Sequence, residues 1–134
     1  MTVDIDLVVD LDEKQALRAI EALTGLGLRP RVPVNPRDFA NPVVRKGWIR
    51  DRGMQVFSMH DPSNPMRAVD IFVEHPLPFE ELWSRSHVFK LQGTSVRVAS
   101  IPDLIHMKRL AGRSQDMMDI DVLEDIMRAK NKDV

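Results

Sequence analysis

The chain contains no cysteine and no tyrosine. Without cysteine it can form no disulfide framework, offers no thiolate nucleophile, and cannot build a cysteine-based zinc or iron–sulfur site. Any metal must be held by oxygen or imidazole ligands, which favours Mg²⁺ or Mn²⁺ chemistry. Long apolar runs are missing too. Leu7-Val8-Val9 and Ile71-Phe72-Val73 are typical of the longest, far short of the roughly 20 residues that span a membrane. No basic-then-apolar leader opens the sequence, so the expected location is the cytoplasm. What remains is 134 residues, enough for one domain over residues 1–134. A chain of that size buries roughly 65–70% of its unfolded surface without staples.

Net charge is -1, which gives no bulk attraction to nucleic acid, but the charges are unevenly distributed. Arg29, Arg31, Arg37, Arg45, Lys46, Arg50 and Arg52 face only Asp38 and Asp51 within 29–53, a local +5. The remainder carries -6. The 29–53 segment is either a basic lobe for a polyanion such as RNA or a solvated loop and helix face.

Hydrophobic periodicity predicts an α/β (α+β) chain. Thr2 to Asp10 alternates, with Val3, Ile5, Leu7 and Val9 on one side and Asp4, Asp6, Val8 and Asp10 on the other, the signature of a strand. Asp10 or Asp12 can cap a helix whose Ala16, Leu17, Ile20, Leu23 and Leu26 recur at helical spacing until Gly25 and Gly27 offer a stop. Prolines at 30, 33, 36 and 42 make 28–42 a long connection with room for one turn near 38–40. Residues 43–51 read equally as helix or strand. Strands follow at 54–59 and 67–73, the second placing Val69, Ile71 and Val73 opposite Asp70 and Phe72. A short helix from Phe79, a hairpin around Gly93-Thr94, a helix capped by Ser100 and ended by Gly112, and a last helix over 115–129 complete the chain. The architecture expected is a mixed sheet of about three to five strands with flanking helices and a C-terminal helical pair within 100–130.

Two of these strands carry acids where strands rarely do. Aspartate competes for local backbone bonds and is depleted in strands. Asp4 and Asp6 share a face about 7 Å apart at the ordinary strand rise. Alone they could be a solvated outer face. If the strand holding Asp70 lies in the same sheet, three carboxylates meet and need a cation, as in two-metal phosphoryl or nucleotidyl transfer, with Asp70 as general base or shared ligand. Lys108 lies near the centre of the apolar arc of Ile101, Leu104, Ile105 and Ala111. It either snorkels, pairs with a carboxylate, or points into a phosphate-binding cleft. Asp116 falls inside the arc of Met117, Ile120, Leu123 and Met127. Arg113, Asp116 and Asp119 could form a structural salt-bridge set, and a first-turn acid also suits the helix dipole. His60, His75, His87 and His106 show no metal spacing and take no role. Trp48 and Trp83 read as core or lid packing rather than base-stacking platforms.

Together, Thr2-Val-Asp4-Ile-Asp6-Leu7, Val69-Asp70-Ile71-Phe72, Asp103-Leu-Ile-His-Met-Lys108 and Ala111-Gly-Arg113-Ser-Gln-Asp116-Met-Met-Asp119 resemble the nucleotidyltransferase-fold proteins of the polymerase-beta-like superfamily, in particular the AbiEii-type branch of toxin–antitoxin toxins. The resemblance implies Mg²⁺ or Mn²⁺ bound by Asp4, Asp6 and Asp70. It implies Lys108 and Arg113 near the nucleotide phosphates, and an Asp-x-x-Asp motif at Asp116 and Asp119. The activity implied is transfer of a nucleoside monophosphate from NTP to a hydroxyl of an RNA or protein acceptor. One element of the superfamily pattern, a Gly-Ser or Gly-Gly turn at a helix N-terminus before the paired acids, has no counterpart ahead of Asp4, which only Met1, Thr2 and Val3 precede. A late start, an inactive descendant, or a phosphate site rebuilt from 29–53 would each account for it. The alternative function is a non-catalytic binding or regulatory module of a toxin–antitoxin-like system. The first strand, as a sheet edge, also offers a surface for self-association into a homo-oligomer.

Overall fold

The computed structural model describes residues 5–112 and 114–132. Contacts group the chain into two compact units, Met1–Pro76 and Leu77–Val134.

The first unit is a four-stranded sheet backed by helices. Its strands are β1 (Ile5–Leu7), β2 (Arg29–Pro30), β3 (Val56–Asp61) and β4 (Asn64–Phe72), in the order β1-β4-β3-β2. β1 runs parallel to β4, and the other pairs are antiparallel. The predicted first strand is therefore real and lies at the sheet edge, but it ends at Leu7 rather than Asp10. Polar side chains beyond Leu7 take up the backbone instead. The Asp10 carboxylate accepts from the Asp12 amide at 3.0 Å, and the Asp12 carboxylate in turn accepts from Gln15 N–H to cap α1 (Glu13–Gly25).

The connection after α1 holds the turn expected near 38–40 and one element that proline spacing alone does not reveal, a two-residue strand. Arg29 and Pro30 pair with β3, and Pro36–Ala40 winds into a 3₁₀ turn. Residues 42–52 settle as a helix, α2 (Pro42–Arg52). Asn41 accepts from the Val43 amide at 2.9 Å, Pro42 occupies the first turn where its missing N–H costs nothing, and Gly53 at φ 59° ends it. These start and stop signals outweigh the β-branched Val43 and Val44.

The core forms where one sheet face meets these helices. Phe57 and Met59 of β3 and Val69, Ile71 and Val73 in and just after β4 join Ala16 and Ile20 of α1, Phe39 of the 3₁₀ turn and Trp48 of α2. Phe57 is the hub, with the Phe39 ring at 5.4 Å and the Trp48 ring stacked at 5.3 Å. Beneath this cluster Arg45, 6% exposed, donates to the Phe39 carbonyl and, at 3.2 Å, to the Leu11 carbonyl. Burial lowers its pKa from the ordinary arginine value, partly offset by Glu13.

The second unit contains α3 (Phe79–Arg85), a hairpin of β5 (His87–Leu91) and β6 (Thr94–Val98), α4 (Ile101–Ala111) and α5 (Ser114–Lys132). The hairpin turn sits one residue earlier than expected, at Gln92-Gly93, both with positive φ (48° and 81°). A two-residue turn of that hand matches the twist of the flanking strands. Ser100 accepts from the Asp103 amide at 3.3 Å to start α4, and Gly112 at φ 66° ends it. Asp103 is buried and paired with Arg85 at 2.9 Å. α4 packs against α5, the expected helical pair. Trp48 is core, as predicted, but Trp83 is not: it is 52% exposed and carries the Arg97 guanidinium 4.0 Å above its ring. No helix among the described residues is long and apolar enough to cross a membrane.

Candidate active site

The sheet face opposite the core carries the acids. β1 and β4 align Ile5 with Val69, Asp6 with Asp70, and Leu7 with Ile71. Leu7, Val69 and Ile71 belong to the core cluster, so alternation sends Asp6 and Asp70 together to the other face. As partners on hydrogen-bonded strands their Cα atoms are neighbours, about 4.8 Å apart. The third member of the expected trio, Asp4, lies outside the described residues.

A hydroxyl joins this pair from the next strand. β3 aligns Ser58 with Asp70, and the Ser58 hydroxyl donates to Asp70 Oδ1 at 2.5 Å. Bonds of this length to a carboxylate are charge-assisted and directional, so Ser58 fixes the orientation of the Asp70 carboxyl group. Among the described residues no group of three or more His, Asp or Glu could hold a metal ion. Asp6 and Asp70 nonetheless supply the donor chemistry that Mg²⁺ uses, since that ion is commonly held by one or two carboxylates together with substrate phosphates. Cationic charge there would also relieve the repulsion of adjacent carboxylates.

The second unit has its own polar cluster, spanning α4 and α5. Lys108 Nζ lies 2.9 Å from Asp119 Oδ2 and 3.9 Å from Asp116 Oδ1. Asp116 is 1% exposed. Of the three readings open for Lys108, the structure adopts carboxylate pairing, and Asp116 and Asp119 are its partners. Beside them Arg109 pairs with Glu124 at 2.7 Å. Arg113, expected near the phosphates, lies outside the described residues.

The family model described as "Nucleotidyl transferase AbiEii toxin, Type IV TA system" matches residues 1–133. The chain belongs to the AbiEii family. No curated protein and no solved structure matches it. Membership agrees with the resemblance carried by the Asp, Lys and Asp-x-x-Asp motifs, and the mixed sheet with flanking helices is the fold expected from it.

Within this AbiEii-family chain, Ser58 is a candidate site residue that the motifs do not single out, although the sequence holds a signal for it. In the alternating segment 54–59 it stands between Phe57 and Met59, both core residues. A small polar residue at that position must face the same side as Asp70 once the two strands pair. The basic stretch 29–53 proves heterogeneous. Arg45 is structural, Arg37 pairs with Glu21 at 3.7 Å, Arg50 pairs with Asp51 at 2.9 Å, and Arg29 donates to the Leu28 and Thr24 carbonyls at the end of α1.

Proposed function

We infer that this chain is a toxin of a toxin–antitoxin pair that transfers a nucleoside monophosphate from NTP to a hydroxyl acceptor. The carrying observation is the alignment of Asp6 with Asp70 on adjacent parallel strands of an AbiEii-family chain. In this reading Asp6 and Asp70, with Asp4, hold Mg²⁺ or Mn²⁺, and the ion supplies charge neutralisation of the phosphates. Asp70, held in place by Ser58, takes the proton of the attacking hydroxyl. The hydroxyl oxygen bonds to the α-phosphorus as the bond to the β-phosphate breaks, and pyrophosphate carries away the electron pair. A role toward nucleotide phosphates is what the resemblance assigns to Lys108 and Arg113, and within the second unit the Lys108 ammonium is held by Asp119 and Asp116. The antitoxin would be the protein's partner, and an RNA or another protein its acceptor.

The test is incorporation of label from [α-³²P]NTP into RNA and protein fractions with Mg²⁺ present. Incorporation by the wild-type chain that falls at least about a hundredfold in Asp6→Asn and Asp70→Asn, while both variants keep the wild-type melting temperature, supports the reading; removal of one group from a transition-state assembly has effects of this size. Incorporation that survives both substitutions defeats it.

A further inference from the structure

Arg31 extends the row of the acid pair. Its amide donates to the Ser58 carbonyl at 3.0 Å, which continues the β2–β3 ladder one residue past Pro30. Arg29 lies opposite His60 and Pro30 opposite Met59, so Arg31 falls opposite Ser58. Directly opposed residues of paired strands share a face. Asp6, Asp70, Ser58 and Arg31 therefore form one line across four neighbouring segments, with two anions at one end, a hydroxyl in the middle and a cation at the other end. At about 4.8 Å per strand, the Arg31 backbone lies about 10 Å from that of Asp70.

What distinguishes Arg31 among the bases of 29–53 is its place in this row, with a guanidinium that has no partner among the described residues. Arg29, Arg37, Arg45 and Arg50 are each engaged by carbonyls or carboxylates. Arg31 is exposed, and among the described residues its guanidinium makes no hydrogen bond or ion pair. We propose that Arg31 binds the β- and γ-phosphates of the NTP whose α-phosphate end lies at Asp6 and Asp70. A triphosphate is a short linear polyanion. Its reacting end needs carboxylate-bound cationic charge and its distal end needs a cation of its own. A planar guanidinium fork is the side chain best matched to paired phosphate oxygens. The proposal rests on the nucleotidyl-transfer reading and adds a residue that none of the acid or lysine motifs contains.

The experiment is isothermal titration of the full-length protein with inorganic tripolyphosphate, ATP and AMP, with and without MgCl₂. The variants are Arg31→Gln, Arg31→Lys and Asp70→Asn, with Lys46→Gln as a control for diffuse charge. Arg31→Gln should weaken ATP and tripolyphosphate binding by at least about tenfold, the usual consequence of losing a charged hydrogen bond, and leave AMP affinity unchanged. Arg31→Lys should restore part of the loss. Asp70→Asn should instead remove the Mg²⁺ dependence. If Arg31→Gln binds ATP as wild type while Asp70→Asn does not, Arg31 has no such role and the acid-pair reading stands. If Lys46→Gln costs as much as Arg31→Gln, the effect is diffuse charge and the proposal falls. If the wild-type chain binds none of the probes, both the proposal and the reading beneath it fail.

Discussion

The Ser58 hydroxyl reaches across from β3 to donate to the Asp70 carboxylate at 2.5 Å, while Asp6 flanks Asp70 on β1. Under the nucleotidyl-transfer proposal Ser58 is a positioning residue, because its hydroxyl bonds to the Asp70 carboxylate. Ser58→Ala should raise the Mg²⁺ concentration for half-maximal nucleotide transfer by about tenfold, the cost of one charged hydrogen bond, and change the melting temperature little. Ser58→Thr keeps the hydroxyl on a β-branched side chain suited to a strand and should recover most of the loss. Titrating activity with Mg²⁺ checks this, and a purely structural role would lower the melting temperature without moving the metal dependence.

Lys108 bridges two carboxylates of unequal exposure. Asp116 is 1% exposed, whereas the Asp119 side chain is 46% exposed. Removing the cation leaves a buried carboxylate without that ion pair, which costs more than losing a surface pair. Lys108→Met should destabilise the second unit by about 1–3 kcal/mol, and Asp119→Asn by less than about 1 kcal/mol. Lys108→Met/Asp116→Leu should cost less than the sum of its parts, because the desolvated charge goes with its partner. Urea melts followed by helical circular dichroism measure all three, and an additive double variant would show that the pair is uncoupled.

The legible parts of this fold are those that local pattern determines. Val69, Ile71 and Val73 alternate against Asp70 and Phe72, and that alternation alone defines both a strand and its two faces. Aspartates in such strands point to chemistry because the strand environment disfavours them. Asp12, Ser100, Gly53 and Gly112 carry end signals, yet α2 is ambiguous in sequence because Val43, Val44, Trp48 and Ile49 also suit a strand. β2 is illegible for a different reason. Two residues including a proline have no strand pattern, and only pairing with β3, a contact distant in sequence, makes them one. The same non-locality hides the row from Asp6 to Arg31, which exists only once three registers are known. For Lys108 the helical wheel shows that a partner is needed, and the partners lie on a helix whose packing angle no sequence window contains.

Arg45 should behave as a core residue despite its charge. It ties the Phe39 carbonyl in the 3₁₀ turn to the Leu11 carbonyl just before α1 and lies over the Phe39 ring at 5.5 Å. Arg45→Met fills similar volume but leaves both carbonyls without their donor, a loss of about 2–4 kcal/mol for two bonds to a charged group. Arg45→Lys, with a single ammonium head in place of the fork, should lie between. Thermal unfolding followed by tryptophan fluorescence in a Trp83→Phe background, where Trp48 alone reports, reads the change directly, and Arg45→Met melting as its parent would show that these bonds contribute nothing net.

The turn between β3 and β4 should make stability depend on acidity. Asp61 accepts from the Ser63 hydroxyl at 2.7 Å and the Ser63 amide at 2.9 Å, and Arg67 pairs with it at 3.3 Å. These bonds hold its pKa below the ordinary 3.8, the Ser63 hydroxyl contributing most. Because the folded state then releases the proton more readily than the unfolded chain, the stabilisation is complete above the unfolded carboxylate value. It is lost as the pH falls through the lower folded value. Asp61→Asn should therefore melt below wild type in neutral solution, and the two curves should converge as the solution is acidified past the carboxylate range. High salt should narrow the neutral gap only slightly, since the Ser63 bonds outweigh the exposed Arg67 pair. A gap that persists unchanged into strong acid would mean that the Asp61 charge has no part in holding the turn.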